Sequence, residues 1–313
     1  MRVDKINLYV LNYNGEELLQ ECLPSIIASI DGVPSAKLFV IDNKSTDNSL
    51  AVLKEKFSKV SVLLPSENKF LCSFNEYVKQ ADADIVILMN NDIKVSKDFL
   101  KPIIQAFESH DDAFFVSSYC RDFSETKYEG GLSTLKKWHG WWGTFSVDPK
   151  IAGNFQYTAS IGACIAFKTN RFNELNGFDD LYLPGTLEDL DVCYRGWKKG
   201  WKGYFAPASE IFHKGQATFK AKFGSPKIRE LAMRNTFLFI WKNILDQILL
   251  LEHVLWLVPR LLFSLIRGDF AFVNGFFGAC ARFQKAWNRR QQEKKITYQV
   301  IDRDVLNVFK ALN

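Results

Sequence analysis

The sequence predicts an α/β fold: a Rossmann-like, mostly parallel central sheet flanked by helices, with an amphipathic helical extension at the C-terminal end. Three observations carry that prediction. In Asp84-Ile85-Val86-Ile87-Leu88-Met89-Asn90-Asn91-Asp92, five consecutive apolar residues stand between an acid and an Asn-Asn-Asp cluster. That is the pattern of a strand buried on both faces, as in the middle of a parallel sheet. Around it, strand-like and helix-like runs alternate at the spacing of a wound parallel sheet. From about Ile228 onward the texture becomes helical and basic.

Taken in order, residues 6–11 read as a strand, closed by the turn Asn12-Tyr13-Asn14-Gly15. Residues 16–30 carry Leu18, Leu19, Cys22, Leu23, Ile26 and Ile27 at helical spacing. Residues 37–41 form a second strand, and the polar run 42–49 caps a helix over 50–57. A third strand at 60–64 and a helix at 75–81 lead into the central strand, whose far end places Asn90, Asn91 and Asp92 at the carboxyl edge of the sheet. Open α/β folds bind ligands at that edge, although Asn and Asp also form ordinary turns there. The first turn has no G-x-G-x-x-G phosphate fingerprint, which argues against an NAD enzyme.

A helix at 98–109 and a strand at 113–118 follow. Between 121 and 158 the pattern is irregular and aromatic, with Trp138, His139, Trp141, Trp142, Phe145, Phe155 and Tyr157. This stretch is either a loose insertion or a platform on which aromatic faces such as those of Trp141 and Trp142 meet the C–H face of a sugar ring. Residues 159–168 read as a strand whose mouth holds the small residues Gly162 and Ala163, leaving room for a ligand or merely for backbone. A short helix over 171–179 is stopped by Gly177. Then Glu188, Asp189 and Asp191 fall within four residues; helical spacing puts Glu188 and Asp191 on one face and Asp189 on another. Acids also suit a helix N-terminus through the macrodipole. A strand at 203–206 precedes His213.

With 313 residues, 47% hydrophobic and 24% charged, the chain is globular in composition. The six cysteines are scattered without a C-x-x-C pair, so buried free thiols in a reducing cytoplasm are expected. The start of the sequence has no apolar leader run, so no secretory signal is expected. The net charge of +5 is uneven: from residue 226 on, 14 Lys and Arg face 7 Asp and Glu, whereas residues 1–225 are mildly acidic. A basic tail suits nucleic acid or an anionic membrane surface; its apolar composition favours the membrane over nucleic acid.

Four separated pieces stand in one order: Leu11-Asn12-Tyr13-Asn14; Val40-Ile41-Asp42-Asn43-Lys44-Ser45-Thr46-Asp47; Leu88-Met89-Asn90-Asn91-Asp92; and Glu188-Asp189-Leu190-Asp191 with Arg195, then His213. In this order the chain resembles the family 2 glycosyltransferases of GT-A fold, most of all the bacterial rhamnosyltransferase-like members that build surface polysaccharides. The resemblance spans about residues 5–220. It implies a catalytic domain over 1–225, with a nucleotide-binding half to about 118 and an acceptor half after it, and a helical region over 226–313.

The resemblance also implies roles. Asn12, Tyr13, Asp42, Asn68, Asn75, Asn90 and Asn91 would hold the donor, with Tyr13 against the base and Asp42 accepting its N–H. Asp92, matching the last carboxylate of the D-x-D element, and His213 would hold Mn²⁺ or Mg²⁺ on the diphosphate. Asp189 matches the general base of an inverting displacement, with Glu188 and Asp191 as its competitors. Two departures stand out: Asn90 replaces the first acid of D-x-D, and 68–75 lacks the glycines of the family's N-x-G-F-x-x-G-x-N stretch.

In the tail, residues 244–263 are very apolar but interrupted by Asp246, Glu252, His253 and Arg260. A spanning helix needs about 20 nearly uninterrupted apolar residues, so amphipathic helices in the membrane interface are expected. Trp241, Trp256 and Trp287 would anchor them, and Arg282, Lys285, Arg289, Arg290, Lys294 and Lys295 would face anionic headgroups. The alternatives are a helical subdomain packed on the catalytic domain, a homodimer interface, or a single span. The resulting expectation is a cytoplasmic enzyme, peripheral on the inner membrane face, moving a sugar from a UDP-sugar or dTDP-rhamnose to a lipid-linked or polysaccharide acceptor. The rivals are a catalytically silent binding protein and a sugar-phosphate nucleotidyltransferase.

Overall fold

The computed structural model of the chain describes residues 2–149, 156–160, 162–215 and 217–310, with side chains for all of these except 217–221. Phe155 and Ile161 lie outside the described residues. The first part alternates as expected: β1 (Ile6–Asn12), α1 (Glu16–Ile30), β2 (Ala36–Asp42), α2 (Ser49–Lys56), β3 (Ser61–Leu63), a 3-10 turn running into α3 (Phe74–Val78), β4 (Ile85–Asn90), β5 (Ile93–Val95), α4 (Leu100–Ser109) and β6 (Ala113–Asp122). There follow β7 (Tyr128–Gly130), β8 (Ser133–Trp138), β9 (Trp141–Ser146), β10 (Gln156–Tyr157), β11 (Cys164–Lys168), α5 (Thr169–Glu174), α6 (Glu188–Lys198) and β12 (Lys202–His213). The C-terminal part is helical: α7 (Ala217–Asn243), α8 (Gln247–Ile266), α9 (Phe270–Cys280), α10 (Phe283–Glu293) and α11 (Asp302–Val308).

The main sheet runs β10-β12-β6-β11-β4-β1-β2-β3. Strands β1 to β4 are mutually parallel, β6 is parallel to β12, and β11 runs antiparallel between β4 and β6. Both faces of β4 are buried: Val86 and Leu88 enter one apolar cluster, and Ile85, Ile87 and Met89 enter the other. This is why the strand reads as an unbroken apolar run.

Register fixes the functional edge. Asn12 pairs with Asp42, and Leu11 with Asn90, so three strand ends fall in line. Because β11 is antiparallel, its start lies at the same edge, where Asn90 N donates to Ala163 O (2.9 Å). The end of β12 turns back over the loop after β4: His213 pairs with Ile93, and Lys214 N donates to Asp92 O (3.1 Å).

The aromatic stretch is not irregular. β8 and β9 form a hairpin in register from Ser133↔Ser146 to Trp138↔Trp141, closed through Gly140. Gly140 has φ +71°, and a Cβ there would lie 2.4 Å from His253 Cα, so α8 packs against the hairpin tip only because this residue is glycine. The hairpin turns Trp141 and Trp142 inward rather than toward a substrate. Trp141 packs on Phe237 and Phe272 (ring centroids 4.9 and 5.2 Å), and Trp142 on Tyr194 (6.0 Å). Neither lines the cleft described below, which corrects the expected sugar platform.

The tail splits. α7 delivers Phe237, Leu238, Phe239 and Ile240 into the core at no exposure, whereas α8 leaves Leu255, Val258 and Ile266 more than half exposed. Trp241 is no interfacial anchor: its Nε1–H donates to His253 Nε2 (3.1 Å), while Trp256 and Trp287 are exposed. Five of the cysteines are buried, but Cys280 is exposed, against expectation.

Candidate active site

The sheet edge opens into a cleft of ≈ 370 Å³, within the range of small-molecule sites. Its base is organised by a buried relay. The Asn12 amide donates to Asp42 Oδ2 (2.9 Å) and Ser45 Oγ (3.2 Å), and Asn91 Nδ2 donates to Asn12 Oδ1 (2.7 Å). Gly15 makes room for it, since a Cβ there would lie 2.0 Å from Asn91 Nδ2. The relay pins the loop after β4 and so fixes Asp92.

It also relocates two expected donor contacts. Asp42 is buried, with its oxygens taken by Asn12 and by Ser45 N (2.9 Å), and neither Asp42 nor Asn12 lines the cleft. A carboxylate removed from water must be satisfied, and here the chain itself does so. Asn75 likewise braces Phe178 through N–H and carbonyl (3.0 and 2.8 Å) and lies outside the lining.

Tyr13, Asn68, Asn90, Asn91, Asp92, Gly162, Ala163, Glu188, Asp189 and His213 all line the cleft. Sequence reasoning missed several neighbours. Asn43 donates to Asn68 Oδ1 (2.9 Å), holding the loop before α3. Lys222 Nζ lies 4.6 Å from the Tyr13 ring and 5.0 Å from the Phe70 ring, a cation over two aromatic faces. Pro184, Gly185 and Thr186 complete the wall beside the acids. Asn43 lies inside the quoted 40–47 motif and could have been found; Lys222 and the 184–186 wall carry no local signal.

Asp92 is buried and its Oδ1 has no hydrogen-bond partner among the described residues. Its Oδ2 lies 3.4 Å from His213 Nε2, and His213 Nδ1 lies 3.2 Å from Glu129 Oε2. Burial pushes the imidazole pKa down, but the Asp92 and Glu129 carboxylates outweigh it and hold it above its usual value. An orphaned carboxylate oxygen beside an imidazole nitrogen fits a divalent cation of the Mn²⁺ or Mg²⁺ kind. Glu129 orients the ring from behind, as carboxylates do for metal-binding histidines. Cys120, also near His213 and Glu129, has its thiol pushed up to about 12 by burial and stays protonated at neutral pH.

α6 also begins at the cleft. Glu188 is buried with Oε2 unpartnered, and Asp189 is partly exposed. Burial, reinforced by Asp189, raises Glu188 to about 8; burial raises Asp189 to about 6. The expected pairing of Glu188 with Asp191 on one face does not hold. In the first turn, side chains splay off the open helix end, so Glu188 and Asp189 share the cleft. Asp191 points into the protein instead, where Arg195 (2.8 Å), Lys242 (2.7 Å), Tyr182 (2.7 Å) and Asn243 (2.8 Å) surround it. Committed on every side, Asp191 has no lone pair free for a substrate.

Comparison with known proteins identifies the family and the fold. The family model described as "Glycosyl transferase family 2" matches residues 8–175. A Methanococcus voltae protein, "Dolichyl N-acetyl-alpha-D-glucosaminyl phosphate 3-beta-D-2,3-diacetamido-2,3-dideoxy-beta-D-glucuronosyltransferase", is 26% identical over 33% of this chain and 34% of its own length. A "Poly(ribitol-phosphate) beta-glucosyltransferase" of Bacillus spizizenii is 28% identical over 31% of this chain and 16% of its own. The matches thus span 34% and 16% of these curated relatives' own lengths. Among solved structures, GalNAc-T7 with UDP, GalNAc and Mn²⁺ aligns at TM-score 0.60 and 17% identity, over 78% of this chain and 49% of that one. The mannosyltransferase PcManGT from Pyrobaculum calidifontis, with GDP-Man and Mn²⁺, aligns at 0.54 and 16% identity, over 100% and 85%. S. aureus TarS aligns at 0.51 and 18% identity, over 80% and 43%. These likenesses show the fold, and the family match covers more than half of the sequence: the chain belongs to glycosyl transferase family 2.

Proposed function

We propose that the chain is an inverting glycosyltransferase that moves a sugar from a nucleotide-diphosphate donor to a hydroxyl of a lipid-linked or polysaccharide acceptor. One observation carries the reading: a single cleft is lined both by Asp92, with its orphaned Oδ1, and His213 and by Glu188 and Asp189. Asp92 and His213 would hold Mn²⁺ or Mg²⁺, which neutralises the charge of the departing nucleotide. Tyr13 and Asn68 lie where the base and ribose would rest, and Lys222 adds a positive charge at the mouth.

Two adjacent acids with pKa values pushed apart mark different roles. At pH 7 Asp189, near 6, is ionised and takes the acceptor proton, while Glu188, near 8, keeps its own and acts as a hydrogen-bond donor. The displacement forms the acceptor O–C1 bond as the bond from C1 to the diphosphate oxygen breaks, the proton passing to Asp189. Activity should therefore rise through pH 6 and decline past pH 8.

The chain is also proposed to lie on the inner face of a cell membrane. α8 is long and apolar enough to cross a bilayer, with a mean hydropathy of 1.8. Its polar groups nevertheless face the protein: Gly140 N donates to Glu252 Oε1 (3.0 Å), and Arg260 Nη2 donates to Trp138 O (2.7 Å). That arrangement favours a helix lying in the interface, apolar face outward.

A thermal-shift panel of UDP, dTDP, GDP and CDP, with and without Mn²⁺, tests the donor site. One nucleotide with Mn²⁺ should raise Tm well above either alone, by mass action. No shift with any pair would remove the donor site from this account.

A further inference from the structure

Residues 179–187 form the wall of the cleft that carries Pro184, Gly185 and Thr186 and hands the chain to Glu188. Their backbone is held in a costly shape, with Thr186 at φ +76° and Leu187 at φ +66°. A β-branched residue in the left-handed region is an outlier, and such residues persist only where the surroundings over-determine them.

Those surroundings are supplied by the C-terminal helices. Asn235 of α7, fully buried, aims its amide at the carbonyls of Tyr182 (2.8 Å), Gly185 (2.7 Å) and Thr186 (2.8 Å). Arg234 donates to Leu183 O (2.7 Å) and, from Nε, to Asn235 Oδ1 (2.9 Å), which orients that amide. Arg282, before α10, donates to the carbonyls of Leu181 and Leu183 (2.8 Å each). Lys285 and Arg289 reach Asp180 (3.0 and 2.9 Å), and Lys242 joins Asp179 (2.8 Å) to Asp191. Tail residues that read as a headgroup surface thus grip the loop instead: of the six basic residues between 282 and 295, three reach this segment and Arg290 caps Ile244 O, leaving Lys294 and Lys295 outside these contacts.

We propose that α7 and α10 form a clamp that fixes the acceptor-side wall and sets the direction in which Glu188 and Asp189 enter the cleft, with Asn235 as its central positioning residue. This rests on the transfer reading above, and the test is built so that each can fail alone. Asn235→Asp keeps the shape but points an acceptor at the three carbonyls. Backbone amides over 182–189 should then exchange faster with solvent, a readout that needs no turnover. Transfer kcat should fall about 100-fold, the scale of an ångström-sized misplacement of a catalytic group, while nucleotide–Mn²⁺ affinity holds. The acidic limb of the kcat–pH profile should move below pH 6 as Asp189 gains solvent, which a loss of global stability would not produce.

Arg282→Gln, at the part-buried margin of the clamp, should give the same signs with smaller size, and serves if Asn235→Asp fails to fold. Unchanged exchange over 182–189, or unchanged kcat, in a folded variant overturns the clamp. Wild-type protein without transferase activity would overturn the transfer reading, and the exchange data would still judge the clamp.

Discussion

The apolar run 237–240 near the end of α7 and the apolar helix α8 follow one another and have opposite surroundings. α7 buries its aromatic stretch completely and also buries charge, Lys242 being ringed by Asp179, Asp191 and Glu293. α8 is inside out: Glu252, His253 and Arg260 meet the β8–β9 hairpin, while Leu251, Val254, Leu255, Val258 and Leu262 face outward. Apolar content alone therefore does not decide which helix is core. α7 is inside because residues 179–191 supply partners for its polar groups, and α8 retains an exposed apolar face of the kind that marks an interaction surface.

The comparison can be broken or sharpened. The largest effect is expected in α7: Lys242→Met leaves the carboxylates of Asp179 and Asp191 short of a partner in a dry site. Breaking a buried pair costs about 3–5 kcal/mol, so calorimetry should show Tm lower by about 10 °C. An unchanged Tm would show the cluster to be redundant.

A second effect is a pH dependence of stability in the ligand-free protein. Glu188 in the folded chain, near 8, binds its proton more tightly than the unfolded chain does, near the ordinary value of about 4.3. The unfolded state thus loses its proton first, and stability declines as pH rises from about 4 through 8. Glu188→Gln should flatten that slope in denaturant titrations across the range; an unaltered slope would mean that the carboxyl is solvated.

The smallest effect on stability is expected in α8. Leu255→Asp with Val258→Asp, both at exposed positions, should change unfolding free energy by about 0.5 kcal/mol or less. The same pair should abolish most binding to anionic vesicles in a flotation assay. Wild-type protein that fails to float, or that dimerises through this face, would redirect the surface to another partner.

The order of strands and helices up to β6, apart from the short β5, was legible because buried parallel strands are unbroken apolar runs and the helices carry their period openly. The residues that meet the cleft were legible where a strand end carried a polar cluster, as with Asn90, Asn91 and Asp92. What escaped was long-range satisfaction. Nothing local shows that Asp42 is already bound by Asn12, that Asp191 is enclosed by Arg195 and Lys242, or that Arg282 caps carbonyls a hundred residues away. The helical-spacing argument for Glu188 and Asp191 failed for a different reason: it describes the sides of a helix, and these acids stand at its end. Trp141 and Trp142 were misplaced because aromatic residues suit a sugar and a core equally, and only the hairpin register decides between them.

The most direct test of the central claim is donor turnover by Asp189→Asn, measured with the nucleotide that gives the Mn²⁺-dependent thermal shift. General-base removal should lower kcat about 10²–10⁴-fold while the nucleotide–Mn²⁺ shift stays at its wild-type size. Full turnover by Asp189→Asn, or a thermal shift that disappears with it, would contradict the assignment of metal and donor to Asp92 and His213 and of proton transfer to Asp189.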